Sequence, residues 1–502
     1  MVCGPVNRFH SILISILVGT TLAFSFQSGN WLLAIFSLAG FFYLLSTSNA
    51  RTKLISTTIV LSVWFGIHVY WMVAIGLDAW ILLVIVCMLP WFLTVLYPIP
   101  SNGWGTFLVP MGLIFAIEWL RSNFPWGGFP WGILAFSQVD GPLVWLGRIG
   151  GQELVSGAVV LCSVSIWQIC SRGEIRKALV CLGAVAVLAT VGASTKNEPS
   201  GSTRIAVVQG SVPTDSSDLG AQQRRVFGNH IDMTNKLAAD VTKGLTKKPE
   251  LVIWPENATD LDPINNLAVR DEIQKVVDKL QTPLLVGGVT WQSNPYGPRN
   301  AGILWLPKSG PLRMYAKKHL VPFGEYVPMR ELVMSRIGRL SQIPNDFVQG
   351  ESSGVLSVND YKFGDVICFE VAYQDHLRTL VTEGANFFTV QTNNATYINR
   401  GQAQQQFAIA RFRAIEHTRS TAVASTTGIS GLIDSNGRIQ AVTKEGEAKY
   451  LIGNFDLHNH LNFTDRYPYA LPSLYLVASL GLAMAGVIAK MRVRYRANRA
   501  SQ

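Results

Sequence analysis

Charged residues are scarce in this chain of 502 residues, and that scarcity limits what kind of protein it can be. Asp, Glu, Lys and Arg together make up 15% of the sequence, whereas a soluble domain usually contains about 25%. Hydrophobic residues make up 49%. The composition therefore argues against an ordinary soluble protein and predicts that a large part of the chain lies in a membrane.

Cysteine is rare as well, with six residues, no C-x-x-C pair and no cluster with His at the spacing of a zinc site. We therefore expect neither a disulfide framework nor a bound metal. Cys368 is the one cysteine in the long polar segment of the chain. The others lie near the N-terminus or within or beside apolar stretches: Cys3, Cys87, Cys162, Cys170 and Cys181.

Several other signals are missing from the sequence. It contains no glycine-rich phosphate-binding loop, internal repeat or low-complexity tract, and we expect no cofactor. The apolar stretches hold few ionisable residues, which argues against a transporter, because ion and proton relays need buried charges. No aromatic and basic surface accompanies the net charge of +10, so that charge does not indicate nucleic-acid binding.

What the sequence does contain is about eight apolar stretches of the length that crosses a bilayer, roughly 17–25 residues each. Basic residues crowd two of the loops between them, 48–53 and 172–177, and the C-terminal tail. By the positive-inside rule these loops and both termini are cytoplasmic, and the long polar segment lies outside. An alternative for the first stretch is a cleaved signal peptide, since a basic residue precedes its apolar core. The predicted spans are about 10–27, 31–47, 54–75, 79–98, 105–121, 153–171, 177–194 and 471–490.

Glu118 and Arg121 lie three residues apart near the end of the fifth stretch, on one face of the predicted helix. They form either an ion pair at the membrane interface or a docking point for a lipid headgroup or for the polar domain, and the sequence does not decide between the two. The segment that follows, 122–150, is interrupted by Gly and Pro and carries three tryptophans. We expect it to lie at the outer interface, where tryptophan is enriched.

The chain changes character after a polar linker at about residue 195. Short runs rich in β-branched residues, such as TRIAVVQG, ELVIWPE and GDVICFE, alternate with helical stretches. Strands that alternate with helices indicate a layered α/β domain. The sequence thus predicts a membrane bundle of about seven spans over 1–195, an extracytoplasmic α/β domain over 196–470, and a final span with a basic cytoplasmic tail over 471–502.

Three residues of the α/β domain stand at predicted strand ends or in the loops beyond them: Glu256 after ELVIW, Lys317 in MYAKKHL, and Cys368 at the end of GDVIC. Side chains from several strand ends can meet at one edge of a sheet. There Cys368 would be a nucleophile and Glu256 its proton acceptor. Lys317 would lower the pKa of the thiol and stabilise an oxyanion together with the backbone N–H of Phe369. Taken alone, Cys368 has a simpler interpretation as a buried packing residue.

The motifs around these residues resemble those of the nitrilase superfamily. WPE contains Glu256, the pattern YxKxHL selects Lys317 rather than Lys318, and CFE contains Cys368. Within the superfamily the chain resembles the bacterial apolipoprotein N-acyltransferases. That resemblance rests on LVPFGEYVP, on GFPW, and on apolar spans on both sides of the polar domain.

The resemblance implies a membrane α-helical bundle joined to an αββα nitrilase-like domain, and a two-step acyl transfer. Cys368 would take an acyl chain from the sn-1 ester of a phospholipid as a thioester. The N-terminal amine of an apolipoprotein's diacylglyceryl-cysteine would then receive the acyl chain. Glu256 would be the base and acid and Lys317 the oxyanion partner, in a monomer of the bacterial inner membrane with its catalytic domain outside. Supporting site residues implied by the resemblance are Glu325, Glu370, Asn300 and Phe369.

Two other functions are compatible with the same residues. A membrane-tethered carbon-nitrogen hydrolase, an amidase or nitrilase, would use the same three side chains but release the acyl group to water. A non-enzymatic assembly module, which would act as a scaffold in lipoprotein traffic, would carry a degenerate site. The complete Glu-Lys-Cys set argues against it.

Overall fold

The computed structural model describes residues 8–27, 29–47, 49–96, 103–195, 197–212, 219–331 and 345–468, together with positions 470, 473, 474, 477 and 481. The chain divides into two compact units. One comprises Met1–Thr195 with Arg466–Gln502, and the other comprises Lys196–Asp465. Apart from those few positions, the predicted last span and the basic tail lie outside the described residues.

The first unit is built from apolar helices. Among the described residues, four helices are long and apolar enough to cross a membrane: Arg8–Gln27, Leu77–Leu96, Pro142–Ser171 and Ile175–Ser194. The shorter helix Trp31–Ser46 is also apolar, and the full number of spans stays a prediction. The α-helices are α1 (Arg8–Gln27), α2 (Trp31–Thr47), α3 (Ala50–His68), α4 (Leu77–Met88), α5 (Leu93–Leu96), α6 (Gly105–Asn123), α7 (Gly147–Arg172) and α8 (Ile175–Ser194), and 3-10 turns cover Tyr70–Ala74, Leu89–Phe92, Leu134–Gln138 and Pro142–Leu146.

The central part of the segment after α6 is packed inside the first unit, which corrects the expectation of an interfacial stretch for that part, whereas Phe124 and Trp126 at its start are 59% and 44% exposed. Trp131 in its centre is only 1% exposed. Glu118 of α6 accepts a hydrogen bond from the backbone N–H of Leu134 at 2.8 Å, and Arg121 donates to the carbonyl of Gly132 at 3.0 Å. Backbone groups that leave a helix inside an apolar environment need such partners. Both charged side chains therefore form hydrogen bonds with backbone groups of the irregular segment that follows α6.

The second unit contains twelve described strands that form two six-stranded sheets. The strands are β1 (Gly201–Gln209), β2 (Leu251–Ile253), β3 (Leu284–Ser293), β4 (Tyr296–Leu306), β5 (Gly310–Ala316), β6 (Val355–Val358), β7 (Tyr361–Ile367), β8 (Phe387–Thr392), β9 (Thr421–Ser425), β10 (Gly431–Ile433), β11 (Ile439–Val442) and β12 (Lys449–Leu457). The strand orders are β12-β1-β2-β3-β4-β5 and β11-β10-β9-β8-β7-β6. In each sheet the middle strands pair in parallel, and the outer ones pair antiparallel.

Alternate side chains of each strand point to opposite faces of its sheet, and in this unit both faces are apolar. Ile205 and Val207 of β1 join a core between the two sheets, together with Phe363 and Phe387 of the other sheet. Neighbouring residues of β1, such as Val208, join a second core that includes two helices on the outer face of the first sheet. The strands are therefore buried on both sides, which explains their continuous hydrophobic runs.

In the part of this unit that the structure describes, four helices pack around the sheets, with a short fifth at the end of the unit: α9 (Leu219–Thr242), α10 (Leu267–Leu280), α11 (Gln374–Thr382), α12 (Gln402–His417) and α13 (Phe463–Arg466). The first two cover the first sheet. Gly364 of β7 lies against Leu380 of α11, and Phe388 of β8 meets His417 of α12, so these helices cover the second sheet. The predicted αββα arrangement is confirmed, although β5, β6 and β11 were not predicted.

Phe387→Ala tests the core between the sheets. The Phe387 ring is fully buried and lies 5.6 Å from the Phe363 ring and 5.8 Å from the Phe455 ring. Removing it leaves a cavity, so we expect a loss of about 3–5 kcal/mol of unfolding free energy, measured by thermal unfolding of the full chain in detergent. Leu245→Ala, at a side chain that is 73% exposed, is the control and should change the unfolding temperature little. Equal losses in both variants would contradict the assignment of this core.

Candidate active site

Three strand ends of the second unit bring polar side chains to one place. Glu256 lies three residues after β2, Lys317 directly follows β5, and Cys368 directly follows β7. The ammonium of Lys317 lies 3.2 Å from Glu256 Oε1, and the charges of both groups act on the thiol of Cys368. The structure thus brings together the three side chains that the sequence predicts to meet.

Lys317 is a buried cation held by two carboxylates. Its side chain is 2% exposed, and its Nζ lies 3.2 Å from Glu256 Oε1 and 3.0 Å from Glu325 Oε1. Burial opposes the charge, but the attraction of the two carboxylates outweighs burial and raises the pKa of Lys317 well above its ordinary value. The ammonium is therefore charged at any working pH, and it can stabilise negative charge that develops beside it.

Asn300 joins the same two carboxylates. Its Nδ2 donates to Glu256 Oε1 at 2.6 Å and to Glu325 Oε1 at 2.9 Å. The other oxygen of Glu325 accepts from the backbone N–H of Val321 at 2.8 Å, in the loop that follows β5. Two like charges this close repel unless donors stand between them, and the amide and the ammonium supply those donors. Glu325 and Asn300 thus fix the position of Lys317 and Glu256.

The second oxygen of Glu256 is held by the neighbouring sheet. It accepts a hydrogen bond at 2.8 Å from the backbone N–H of Asn393, the residue directly after β8. Glu256 itself is 4% exposed. Because β2 belongs to the first sheet and β8 to the second, this hydrogen bond ties the two sheets together at the site.

Cys368 occupies an unusual backbone conformation. Its φ is +58°, a left-handed value that a non-glycine residue adopts at some cost and that is concentrated at functional sites. The hydroxyl of Thr392 donates to its Sγ at 3.4 Å. Burial and then the negative charge of Glu256 raise the pKa of the Cys368 thiol to about 12, despite the opposing effect of Lys317. Lys317 thus acts on the thiol pKa in the predicted direction, but burial and Glu256 outweigh it, and the resting thiol is neutral.

Glu370 has a positioning role rather than a place beside the thiol. One oxygen accepts from the backbone N–H groups of Lys318 and His319 at 2.7 and 2.9 Å and from the Tyr315 hydroxyl at 2.8 Å. The other accepts from the N–H of Ile367 at 2.8 Å. Glu370 is completely buried. It therefore connects the end of β5, which carries the catalytic candidate lysine, to the end of β7, which carries the candidate nucleophile.

Aromatic rings stand next to Cys368. The Phe369 ring meets the Tyr373 ring nearly edge-on at 5.4 Å, and Tyr373 stacks on His319 at 4.1 Å. These rings give one side of the site an apolar surface. The role of the Phe369 backbone N–H as an oxyanion donor stays a prediction.

Sequence reasoning missed three residues that complete the site. Thr392 and Asn393 contact Cys368 and Glu256 from the end of β8, and Tyr315 braces Glu370. The signal for Thr392 and Asn393 was present in the sequence TNN at 392–394. It stands at the end of a predicted strand, as the three predicted catalytic residues do. Asn394 turns away, and its amide donates to Gln402 and Gln406 of α12.

The comparisons with known proteins match a large part of each unit. Residues 18–165 match the family described as apolipoprotein N-acyltransferase N-terminal domain, and residues 204–460 match the carbon-nitrogen hydrolase family. The chain belongs to the carbon-nitrogen hydrolase family, in its apolipoprotein N-acyltransferase branch. The predicted resemblance to this branch of the nitrilase superfamily is confirmed.

Individual relatives named apolipoprotein N-acyltransferase support the same assignment. The relative from Mycolicibacterium smegmatis is 31% identical over 380 residues, which is 70% of this chain and 64% of the relative. Those from Pseudomonas putida and Aquifex aeolicus are each 27% identical, over 78% and 68% of this chain and 80% and 74% of their own lengths. The chain therefore spans less than two thirds of the mycobacterial acyltransferase it matches.

The alkylation rate of Cys368 tests its protonation state. Because the thiolate is the nucleophile and the pKa is raised to about 12, the rate of reaction with iodoacetamide should rise about tenfold per pH unit with no plateau below pH 10. The Cys368 peptide is followed by mass spectrometry. The urea-unfolded chain is the control, and there the rate should level off above about pH 8.5. A plateau near pH 7 in the folded protein would contradict the neutral resting thiol.

Glu370→Gln tests the positioning role of the buried carboxylate. An amide in its place points an N–H group at a backbone N–H donor, so we expect the unfolding free energy to fall by about 1–3 kcal/mol. Thermal unfolding measures the loss. Glu351→Gln, at an exposed position, provides the same chemical change as a control. If both variants unfold at the same temperature, Glu370 does not hold the two strand ends together.

Proposed function

We propose that the protein transfers an acyl chain from the sn-1 ester of a phospholipid, through a thioester on Cys368, to the N-terminal amine of the diacylglyceryl-cysteine of an apolipoprotein. The observation that carries this proposal is the contact between Glu256, the buried ammonium of Lys317 and the thiol of Cys368. Family membership supports the choice of substrates, because the relatives carry the name of this acyltransferase.

The first step begins with a neutral thiol. As Sγ of Cys368 attacks the ester carbonyl, Glu256, whose carboxylate acts on the thiol, accepts the thiol proton. The carbonyl oxygen becomes an oxyanion, which the Lys317 ammonium and the N–H of Phe369 stabilise. The carbon–oxygen bond to the glycerol then breaks, and Glu256 returns the proton to the departing oxygen. The products are a lysophospholipid and the acyl thioester.

The second step uses the same residues, but Cys368 is now the leaving group instead of the nucleophile. The α-amine of the acceptor attacks the thioester carbonyl, and Glu256 takes a proton from the nitrogen. The carbon–sulfur bond breaks, and the thiol of Cys368 is restored by that proton. A permanently charged Lys317 serves both oxyanions, since no change in its own protonation is needed.

The location of the substrates fits the apolar helices of the first unit. Phospholipid and lipoprotein are both membrane-bound, so an enzyme that joins them needs access to a bilayer. The four long apolar helices support membrane association. We place the catalytic unit on the extracytoplasmic side of a bacterial inner membrane because the basic loops of the sequence lie on the opposite side of the predicted spans. We expect a monomer.

A membrane-tethered carbon-nitrogen hydrolase is the second candidate. The match of residues 204–460 to the carbon-nitrogen hydrolase family favours it, because hydrolysis needs the same three side chains. The match of residues 18–165 to the acyltransferase N-terminal domain favours transfer. The two functions differ in what removes the acyl chain from Cys368, an amine or water.

The test uses the full-length protein and phosphatidylethanolamine. Without acceptor, we expect the Cys368 peptide to gain the mass of one acyl chain in a hydroxylamine-sensitive bond, with release of lysophospholipid. A diacylglyceryl-cysteine peptide added afterwards should become N-acylated while the adduct disappears. Glu256→Gln should slow adduct formation by about 10²–10⁴-fold.

Cys170→Ser is the matched control for Cys368→Ser, since Cys170 is an exposed thiol outside the site. Cys170→Ser should form the adduct normally, and Cys368→Ser should transfer no acyl chain to the peptide. Intact lipid with no adduct, or equal activity in both variants, would contradict the acyltransferase. Rapid release of free fatty acid with no N-acylated peptide would favour the hydrolase.

A further inference from the structure

A small polar group lies in the apolar core between the two sheets. Asp365 of β7 and Thr389 and Gln391 of β8 are all completely buried. They alternate with outward-facing residues and share the inner face with Phe363, Ile367 and Phe387, which belong to the core between the sheets. Nothing in the proposed reaction uses Asp365, so its presence in an apolar core calls for a physical reason.

The orientation of the Gln391 amide is fixed by one contact. Its Nε2 donates to the backbone carbonyl of Trp254 at 2.6 Å. Only an N–H can face a carbonyl oxygen, so Oε1 of Gln391 points the other way. On Asp365, Oδ1 accepts from the Thr389 hydroxyl at 2.7 Å, and Oδ2 is left.

The two remaining oxygens, Asp365 Oδ2 and Gln391 Oε1, both lie close to Gly302 of β4. A Cβ on Gly302 of β4 would lie 1.9 Å from Asp365 Oδ2 and 2.5 Å from Gln391 Oε1, so both oxygens converge on a single point that glycine leaves open. Among the described residues, neither oxygen has a hydrogen-bond donor. Two buried acceptors that converge on one point without a donor are strongly unfavourable. One proton between them removes that conflict.

We propose that Asp365 is a neutral carboxylic acid whose Oδ2 donates its proton to Oε1 of Gln391. The pair acts as a positioning clamp for the carbonyl of Trp254 and, through it, for Glu256. The proton stays on Asp365 throughout the reaction.

The electrostatic surroundings agree with a neutral acid. Burial raises the pKa of Asp365 to about 7, and the charge of Glu370 acts in the same direction, while hydrogen bonds from the Thr389 hydroxyl and the Val366 backbone oppose them. Tyr315 is the other titratable group whose charge interacts with Asp365. A hydrogen bond donated by the neutral form to Gln391 favours that form further.

The clamp connects three strand ends at the site, those of β2, β7 and β8. Trp254 stands two residues before Glu256, Asp365 three residues before Cys368, and Gln391 directly before Thr392. A loss of the shared proton would therefore let the base move relative to the nucleophile while leaving the substrate surface unchanged. This consequence for the rate rests on the proposed function, whereas the shared proton itself does not.

Infrared difference spectroscopy tests the proton directly. The spectrum of Asp365→Asn minus that of the unaltered full-length protein, recorded at pH 6, should show the loss of one carbonyl stretching band of a protonated acid. Asp262→Asn is the control, because hydrogen bonds from Asn265, Trp291 and Ile264 outweigh burial and lower the pKa of Asp262. It should remove carboxylate bands only. If Asp365→Asn also removes only carboxylate bands, Asp365 is ionised and the proposal is wrong.

Kinetics of Cys368 acylation test the positioning role. Asparagine can accept from Thr389 and donate to Gln391, so Asp365→Asn should keep kcat within about threefold of the unaltered protein. Asp365→Leu, which cannot donate, should lower kcat about tenfold or more with KM unchanged. Equal losses in both variants would overturn the clamp. If neither the unaltered protein nor any variant forms an acyl adduct, the proposed function fails, and the infrared band still decides the shared proton.

Discussion

The structure of the site depends on one buried cation. An ammonium with 2% of its side chain exposed is unfavourable in a protein interior unless opposite charges surround it, and Glu256 and Glu325 supply them at 3.2 and 3.0 Å. In return the ammonium allows the side chains of Glu256 and Glu325 to stand close together. Glu256 is thereby kept beside Cys368 as a group that can take a proton, and the positive charge stays in place for the oxyanion of each step.

The fold provides the rigidity that this arrangement needs. Glu256, Lys317 and Cys368 come from strands of two different sheets, and backbone hydrogen bonds, rather than flexible loops, determine where each strand ends. Gly287 of β3 contributes as well, because a Cβ there would lie 2.0 Å from the carbonyl of Pro255. Close approach of the chain before Glu256 thus requires glycine. The neutral thiol fits this picture, since a preformed thiolate would be repelled by the charge of Glu256.

The sequence predicted the parts of this account that depend on local pattern. Runs such as TRIAVVQG and GDVIC identified buried strands, and the motifs around Glu256, Lys317 and Cys368 identified the three residues that meet. Contacts between distant strands left no such signal. The hydrogen bond from Asn393 to Glu256 depends on how two sheets face each other, and the raised pKa of Cys368 depends on burial that no motif encodes. The central part of 122–150 was misplaced because tryptophan is common both at interfaces and in cores.

The central claim is that Lys317 and Glu325 act as one unit to hold Glu256 in place. A double-mutant cycle of Lys317→Met and Glu325→Gln, read on the rate of Cys368 acylation, tests it most directly. If the cation is the organising element, removing the Glu325 carboxylate should not lower the acylation rate further once Lys317 has been replaced. The rate of the double variant should then match that of Lys317→Met within about threefold. Losses that multiply in the double variant would show two independent contributions and contradict the account.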